Sequence, residues 1–170
     1  MIRKTPVILI LCVFAFISTP SITALPRSTA AAPRIRSRKV ITLERTICFG
    51  SCPIYKLTIF SDGRVLYEGE RYVRKKGRAW GRISRKALNE LIVGFTNIYY
   101  FNLDNEYVPG SRGCPQVATD LPSAITSLAY NDRTKTIRHY HGCGGPSALN
   151  LLSALERKID ETVNVGKWIK

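Results

Sequence analysis

Two cysteines four residues apart, in the stretch ICFGSCPIY from Ile47 to Tyr55, are the first residues of this 170-residue chain whose type and spacing could do chemistry. Cys48 and Cys52 flank Phe-Gly-Ser and are followed by Pro53. Such a pair can form a disulfide, hold a metal, or exchange thiol for disulfide. Exchange sites favour two intervening residues and a sulfur at a helix N-terminus, whose dipole lowers the thiol pKa. Here three residues intervene and Pro53 leads into a strand pattern, which argues against a thiol–disulfide redox protein. Cys114 and Cys143 lie downstream, and Cys12 sits in an N-terminal apolar run. Without Cys12 four cysteines remain, an even number that in an exported chain points to disulfides. Three pairings are open. Cys48–Cys52 can close locally over its turn, and Cys114–Cys143 would pin a long loop to a Gly-rich turn, so that pairing is the expected one. On loop entropy the short bridge contributes roughly 2 kcal/mol and the long one roughly 3.6 kcal/mol.

The segment HYHGCG offers a second constellation. His139, His141 and Cys143 share one face if the strand stays extended. With Cys48 or Cys52 they would make a nitrogen and sulfur set suited to copper or zinc. The competing reading is two strand histidines and one disulfide cysteine, with Gly142 and Gly144 ending the strand. Hydrolytic chemistry has Asp120 and His139 but no nucleophile-elbow pattern. No phosphate-binding or dinucleotide fingerprint is present, so no cofactor is expected.

The elements that must position these residues fall into two similar blocks. VITLERT and PIYKLTIF read as strands, the second with Tyr55, Leu57 and Ile59 on one face. SDGR is a hairpin signal, VLYEGERYV returns, and RAWGRI adds a further strand. Ser84 is an N-cap for a helix striped by Leu88, Leu91, Ile92, Phe95 and Ile98. In the second block SAITSLAY and TKTIRHY form a hairpin about NDR. A helix with Pro146 at its first position follows. Its expected apolar side is Leu151, Leu152, Leu155, Ile159 and Val163, with Glu156, Arg157, Asp160 and Glu161 facing water. The plan is an α+β domain with a mostly antiparallel sheet, two helices on one face and disulfide-stapled loops. Both hairpin turns should lie at one end of the sheet. The cysteine loops would lie at the other, making a pocket with Asp120 and His141. The connection 100–122 is long and carries Pro109, Gly110, Gly113, Pro115 and Pro122, which argue for a functional or pinned loop.

Residues 1–24 have the layout of a signal peptide: Arg3 and Lys4, an apolar run of 11 residues from Val7 to Ile17, and small residues to Ala24. Residues 25–39 carry prolines, small residues and five bases without an acid, and read as a disordered basic linker. Residues 40–170 then form a single domain in an exported, periplasmic or secreted, protein. A membrane role is expected only through an uncleaved signal.

The chain has 26 basic and 12 acidic residues, a formal net charge of +14. With two bases in the leader, five in the linker and all 12 acids beyond them, the domain keeps a net +7. The excess concentrates in RYVRKKGRAWGRISRK, from Arg71 to Lys86, with eight bases and no acid. Alternation puts Arg71, Val73 and Lys75 on one face, Tyr72, Arg74 and Lys76 on the other, and Arg78, Trp80 and Arg82 together after the turn. A basic rim around an aromatic suits an anionic envelope polymer or a protein partner. In an exported protein nucleic acid is not the expected partner. Binding without catalysis is the favoured function, with Arg74, Lys75, Lys76, Arg78 and Trp80 on the surface and Asp120 and His141 at the loop end. The bland alternative is a solvated hairpin.

The stretch CFGSCPIYKLTIFSDGRVLYEG, with TDLPSAITSL and a closing KWI, resembles an exported bacterial family of unknown function, the 6438 type. It is marked by a Cys-aromatic-Gly-x-Cys-Pro-x-Tyr signature. Cys48, Gly50, Cys52, Pro53, Tyr55, Asp62, Gly63, Tyr67, Gly69, Asp120 and Pro122 fall on its motifs. The resemblance spans Ile41 to Ile169. It implies export and the α+β fold, and carries no activity, cofactor or catalytic residue.

Overall fold

The computed structural model describes residues 37–170. The expected leader and nearly all of the expected linker lie outside them. Among the described residues nine strands form: β1 (Lys39–Arg45), β2 (Ile54–Phe60), β3 (Arg64–Arg71), β4 (Gly77–Arg82), β5 (Glu106–Tyr107), β6 (Gln116–Val117), β7 (Ser123–Tyr130), β8 (Arg133–Tyr140) and β9 (Cys143–Gly144). The helices are α1 (Arg85–Asn97), α2 (Ser147–Val163) and the short α3 (Gly166–Ile169). The fold is α+β. A seven-stranded sheet runs β4-β3-β2-β1-β7-β8-β5, antiparallel except for the β5–β8 pair, and β6 and β9 form a small ribbon apart from it.

β1 lies between the two hairpins. Its period of two sends Ile41 and Leu43 into the core, and Arg45 takes the next position on the same face. Arg45 is opposite Tyr55 on β2 and Ala124 on β7, while Lys39, at the far end of β1, is opposite Phe60. The β2–β3 and β7–β8 turns therefore lie at one end of the sheet and the Cys48–Cys52 loop at the other. The turns differ in chemistry. Asn131 and Asp132 take φ of 48° and 57°, the left-handed pair of a tight hairpin. Gly63 has φ 80°, and a side chain there would come within 2.5 Å of the Ile83 carbonyl oxygen.

Both long helices pack on one face of the sheet. Ser84 caps α1, its Oγ accepting from the Ala87 N–H at 3.1 Å. Leu88, Leu91 and Phe95 form the buried stripe of α1. On α2 the buried stripe is Leu149, Leu152, Leu155, Glu156, Ile159 and Val163. Leu151 is exposed, so the true stripe is rotated from the expected one and takes in Glu156. Full burial of each Leu or Ile contributes about 1.5–3 kcal/mol. Trp168 on α3 closes this layer by stacking on Tyr67, ring centroids 4.7 Å apart.

The long connection is held by the second disulfide. The bridges are Cys48–Cys52 and Cys114–Cys143, and β6 pairs with β9 beside the latter. Tyr107 is buried against Gly113, where a side chain would meet the Tyr107 ring at 2.5 Å.

Candidate functional site: a buried histidine–carboxylate cluster

At the disulfide end, six polar side chains from the sheet and α2 meet in the core. His139 and His141 are two residues apart, and both turn toward α2. His139 Nδ1 is 2.9 Å from Glu156 Oε1, and His141 Nε2 is 2.7 Å from Glu156 Oε2. Arg45 brings Nη1 to 3.1 Å from Glu156 Oε2. Its Nε and Nη2 reach Asp160 Oδ2 at 3.3 and 2.8 Å. Tyr55 donates its hydroxyl to Asp160 Oδ1 at 2.7 Å. The expectation that Glu156 and Asp160 face water is corrected here: Glu156 is 0% exposed and the Asp160 side chain 18%. The spacing explains why. Glu156 follows Leu152 by four and precedes Ile159 by three, so it shares their face.

Burial alone would raise the pKa of Glu156. Hydrogen bonds from His139 and His141, with the charge of Arg45, outweigh it and hold the carboxyl down at about 2. Tyr55 is pushed well above the usual phenol range by burial and by the Asp160 charge. Taking an ion out of water is costly, so a carboxylate in a core stripe persists only when its oxygens are bonded. Both Glu156 oxygens are.

The cluster is not sealed. An open groove of about 210 Å³ runs beside it, lined by Arg45, Cys52, Pro53, Tyr55, Pro122 and His141, with Ile169 from α3. The His141 side chain is 28% exposed and the His139 side chain 2%. The structure thus brings His141 and the Cys48–Cys52 loop together. Asp120 sits nearby, its carbonyl accepting from the Phe49 N–H at 3.2 Å, but its exposed side chain takes a bond from Thr119 and does not line the groove.

Cys143 is joined to Cys114, so its sulfur is no thiolate, and Glu156 stands beside the histidines where a cysteine was expected. The donor atoms of His139, His141 and Glu156 all lie within 4.8 Å of one another. Arg45, Tyr55, Glu156 and Asp160 were missed as site residues. The one signal for them was a carboxylate in register with the Leu152–Ile159 stripe.

The basic hairpin is a separate surface. Arg64, Leu66 and Glu68 on β3 face Arg82, Trp80 and Arg78 on β4. Trp80 is 58% exposed, 6.0 Å from the Phe60 ring, with the Arg64 guanidinium 5.7 Å from its centroid. The expected alternation stops at Arg71, because Tyr72 takes φ 55° and residues 72–76 bend away from strand geometry. That bend is tied to α3: Lys75 N–H donates to the Trp168 carbonyl at 2.9 Å, and Arg74 donates to the Lys167 carbonyl. Arg74, Lys75, Lys76, Arg78 and Trp80 are all exposed.

No helix among the described residues is long and apolar enough to cross a membrane. Two disulfides suit an oxidising environment. No curated protein matches the sequence significantly. A family model described as a domain of unknown function, DUF6438, matches residues 39–163, the whole sheet with α1 and α2. The chain belongs to the DUF6438 family.

Proposed function

We propose that this domain is an exported, non-catalytic binding module that holds an acidic envelope polysaccharide on the outer face of β3 and β4. The observation that carries the reading is Trp80, a large aromatic left exposed on an edge strand between Arg78 and Arg82. Edge strands are commonly kept polar, and Trp80 presents its ring outward among basic side chains. Its ring is braced by Phe60 and Arg64. A braced aromatic gives a sugar ring an apolar platform, and the arginines supply attraction that salt screens over about 8 Å at physiological strength. Export is supported by the two disulfides and by the expected leader.

The test is retention on an acidic polysaccharide resin at stepped salt. Wild type should bind at low salt and elute as salt rises. Trp80→Ala and Lys76→Ala should each elute earlier while melting as wild type does. Substituting Arg74 or Arg82 is avoided, because their bonds to the Lys167 and Asp62 carbonyls would mix anchoring with binding. Equal retention of all three proteins would overturn the reading.

A further inference from the structure

We propose that His139, His141 and Glu156 bind one divalent transition-metal ion of the zinc class, with a water position toward the groove beside His141. This goes beyond the polysaccharide reading and does not depend on it.

The starting point is the convergence of ligand-type side chains, with the Arg45 guanidinium beside them. Glu156 Oε2, His141 Nε2 and Arg45 Nη1 are separated by 2.7, 3.1 and 3.3 Å. A guanidinium only donates and a carboxylate only accepts. In the metal-free protein His141 Nε2–H and Arg45 Nη1–H both donate to Glu156 Oε2. An ion would take the place of the histidine proton, held by the Nε2 lone pair and a Glu156 oxygen, with His139 Nδ1 2.9 Å from the other oxygen. Arg45 then needs only a small swing about Asp160, to which it is already bound through Nε and Nη2.

The charged groups beside the histidines are two carboxylates, Glu156 and Asp160, against the single guanidinium of Arg45. The donor chemistry selects the ion. Two imidazole nitrogens and one carboxylate suit zinc, nickel or copper(II), whereas magnesium and calcium take oxygen shells. Three protein ligands with an open fourth position is a recurrent zinc arrangement. Bonds of about 2.0–2.1 Å set donors about 3.4 Å apart around a tetrahedral ion, so donors within 4.8 Å need draw in by no more than about 1.4 Å. Access is through the groove, which His141 and Arg45 both line.

The test is calorimetric titration of the tag-free protein with Zn²⁺ at neutral pH, with Mg²⁺ as control. We expect one zinc per chain, a melting temperature raised by zinc, and no response to Mg²⁺. His141→Ala is the decisive variant, since its ring is partly exposed and Arg45 still bonds Glu156 Oε2, and its own metal-free melting temperature serves as its reference. It should weaken zinc binding at least tenfold and abolish the zinc-dependent rise in melting temperature. Glu156→Gln, if folded, should lose binding as well. Wild type taking up less than a tenth of an equivalent, or His141→Ala binding zinc as wild type does, would overturn the proposal.

Discussion

The two halves of the sheet share a hairpin-and-helix plan and differ in where they keep their polar groups. In the β2–β3–β4 half, the helix-facing positions Leu57, Ile59, Val65 and Tyr67 are buried without a charged partner, and only Tyr55 reaches the cluster, through Asp160. The charge of this half is all outside, with Trp80 among it. In the β7–β8 half, the helix-facing positions include Thr126 and His139, and α2 answers with Glu156. A stripe that is apolar throughout needs only volume to be filled. A stripe interrupted by a carboxylate needs named partners at fixed distances, which is how His139, His141 and Arg45 come to be held in one place. Recognition in the first half can therefore change without disturbing the core, while the polar cluster of the second cannot.

The sharpest way to break that contrast is to neutralise Glu156. Glu156→Gln should destabilise the domain by about 3–5 kcal/mol, because Arg45 and two imidazoles lose the charge they were arranged around. Chemical denaturation measures it, and a loss under 1 kcal/mol would mean that the cluster is not the clamp of this half. The first half has no counterpart: Leu91→Ala should cost about 2–5 kcal/mol through its cavity alone and show no new pH dependence.

Opening the disulfides ranks next. Replacing Cys114 and Cys143 with serine should cost roughly 3.6 kcal/mol, and replacing Cys48 and Cys52 roughly 2 kcal/mol. Equal losses for the two pairs would show that strain or residual unfolded structure, not loop length, sets their worth.

Acid gives a reversible version of the Glu156 experiment. A carboxyl held at about 2 in the fold, against an ordinary value near 4.5, contributes stability that is fully present above 4.5. That stability is lost as pH falls through about 2, and the whole effect is about 3 kcal/mol. Denaturation midpoints at pH 6, 4 and 2.5 should fall more steeply in wild type than in Glu156→Gln. Parallel curves would place the acid sensitivity elsewhere.

The strand periods, the α1 stripe, the hairpin turns, the Ser84 cap and the Cys48–Cys52 bridge were legible in the sequence, since each rests on neighbouring residues, whereas Cys114–Cys143 was one of three open pairings, preferred for the loop it would pin. The place of β1 between the hairpins was not, because no local signal says which strand is central. The cluster was hidden for a related reason. Glu156 stands next to Arg157 and Lys158, four residues before Asp160, and such a run reads as a wet face. Only its register with Leu152 and Ile159 says otherwise, and His139, His141 and Arg45 across the interface make its burial tolerable. The bend at residues 72–76 escaped because Tyr72 at φ 55° carries none of the glycine or asparagine cues for a left-handed residue.

The smallest expected change in stability belongs to the outer face. Trp80→Ala should shift stability by no more than about 0.5 kcal/mol, as an exposed edge residue should. A larger loss would mean that Trp80 is packing rather than presenting itself.

Trp80 also permits the most direct test of the proposed function, since the chain has two tryptophans and the other, Trp168, is buried against Tyr67. Tryptophan emission is followed while polygalacturonate is added at low salt and again at high salt. A saturable change at low salt is expected, disappearing at high salt and absent in Trp80→Phe, whose remaining emission comes from Trp168. Emission that does not respond at low salt, or a response that survives in Trp80→Phe, would contradict the assignment of this face as the binding surface.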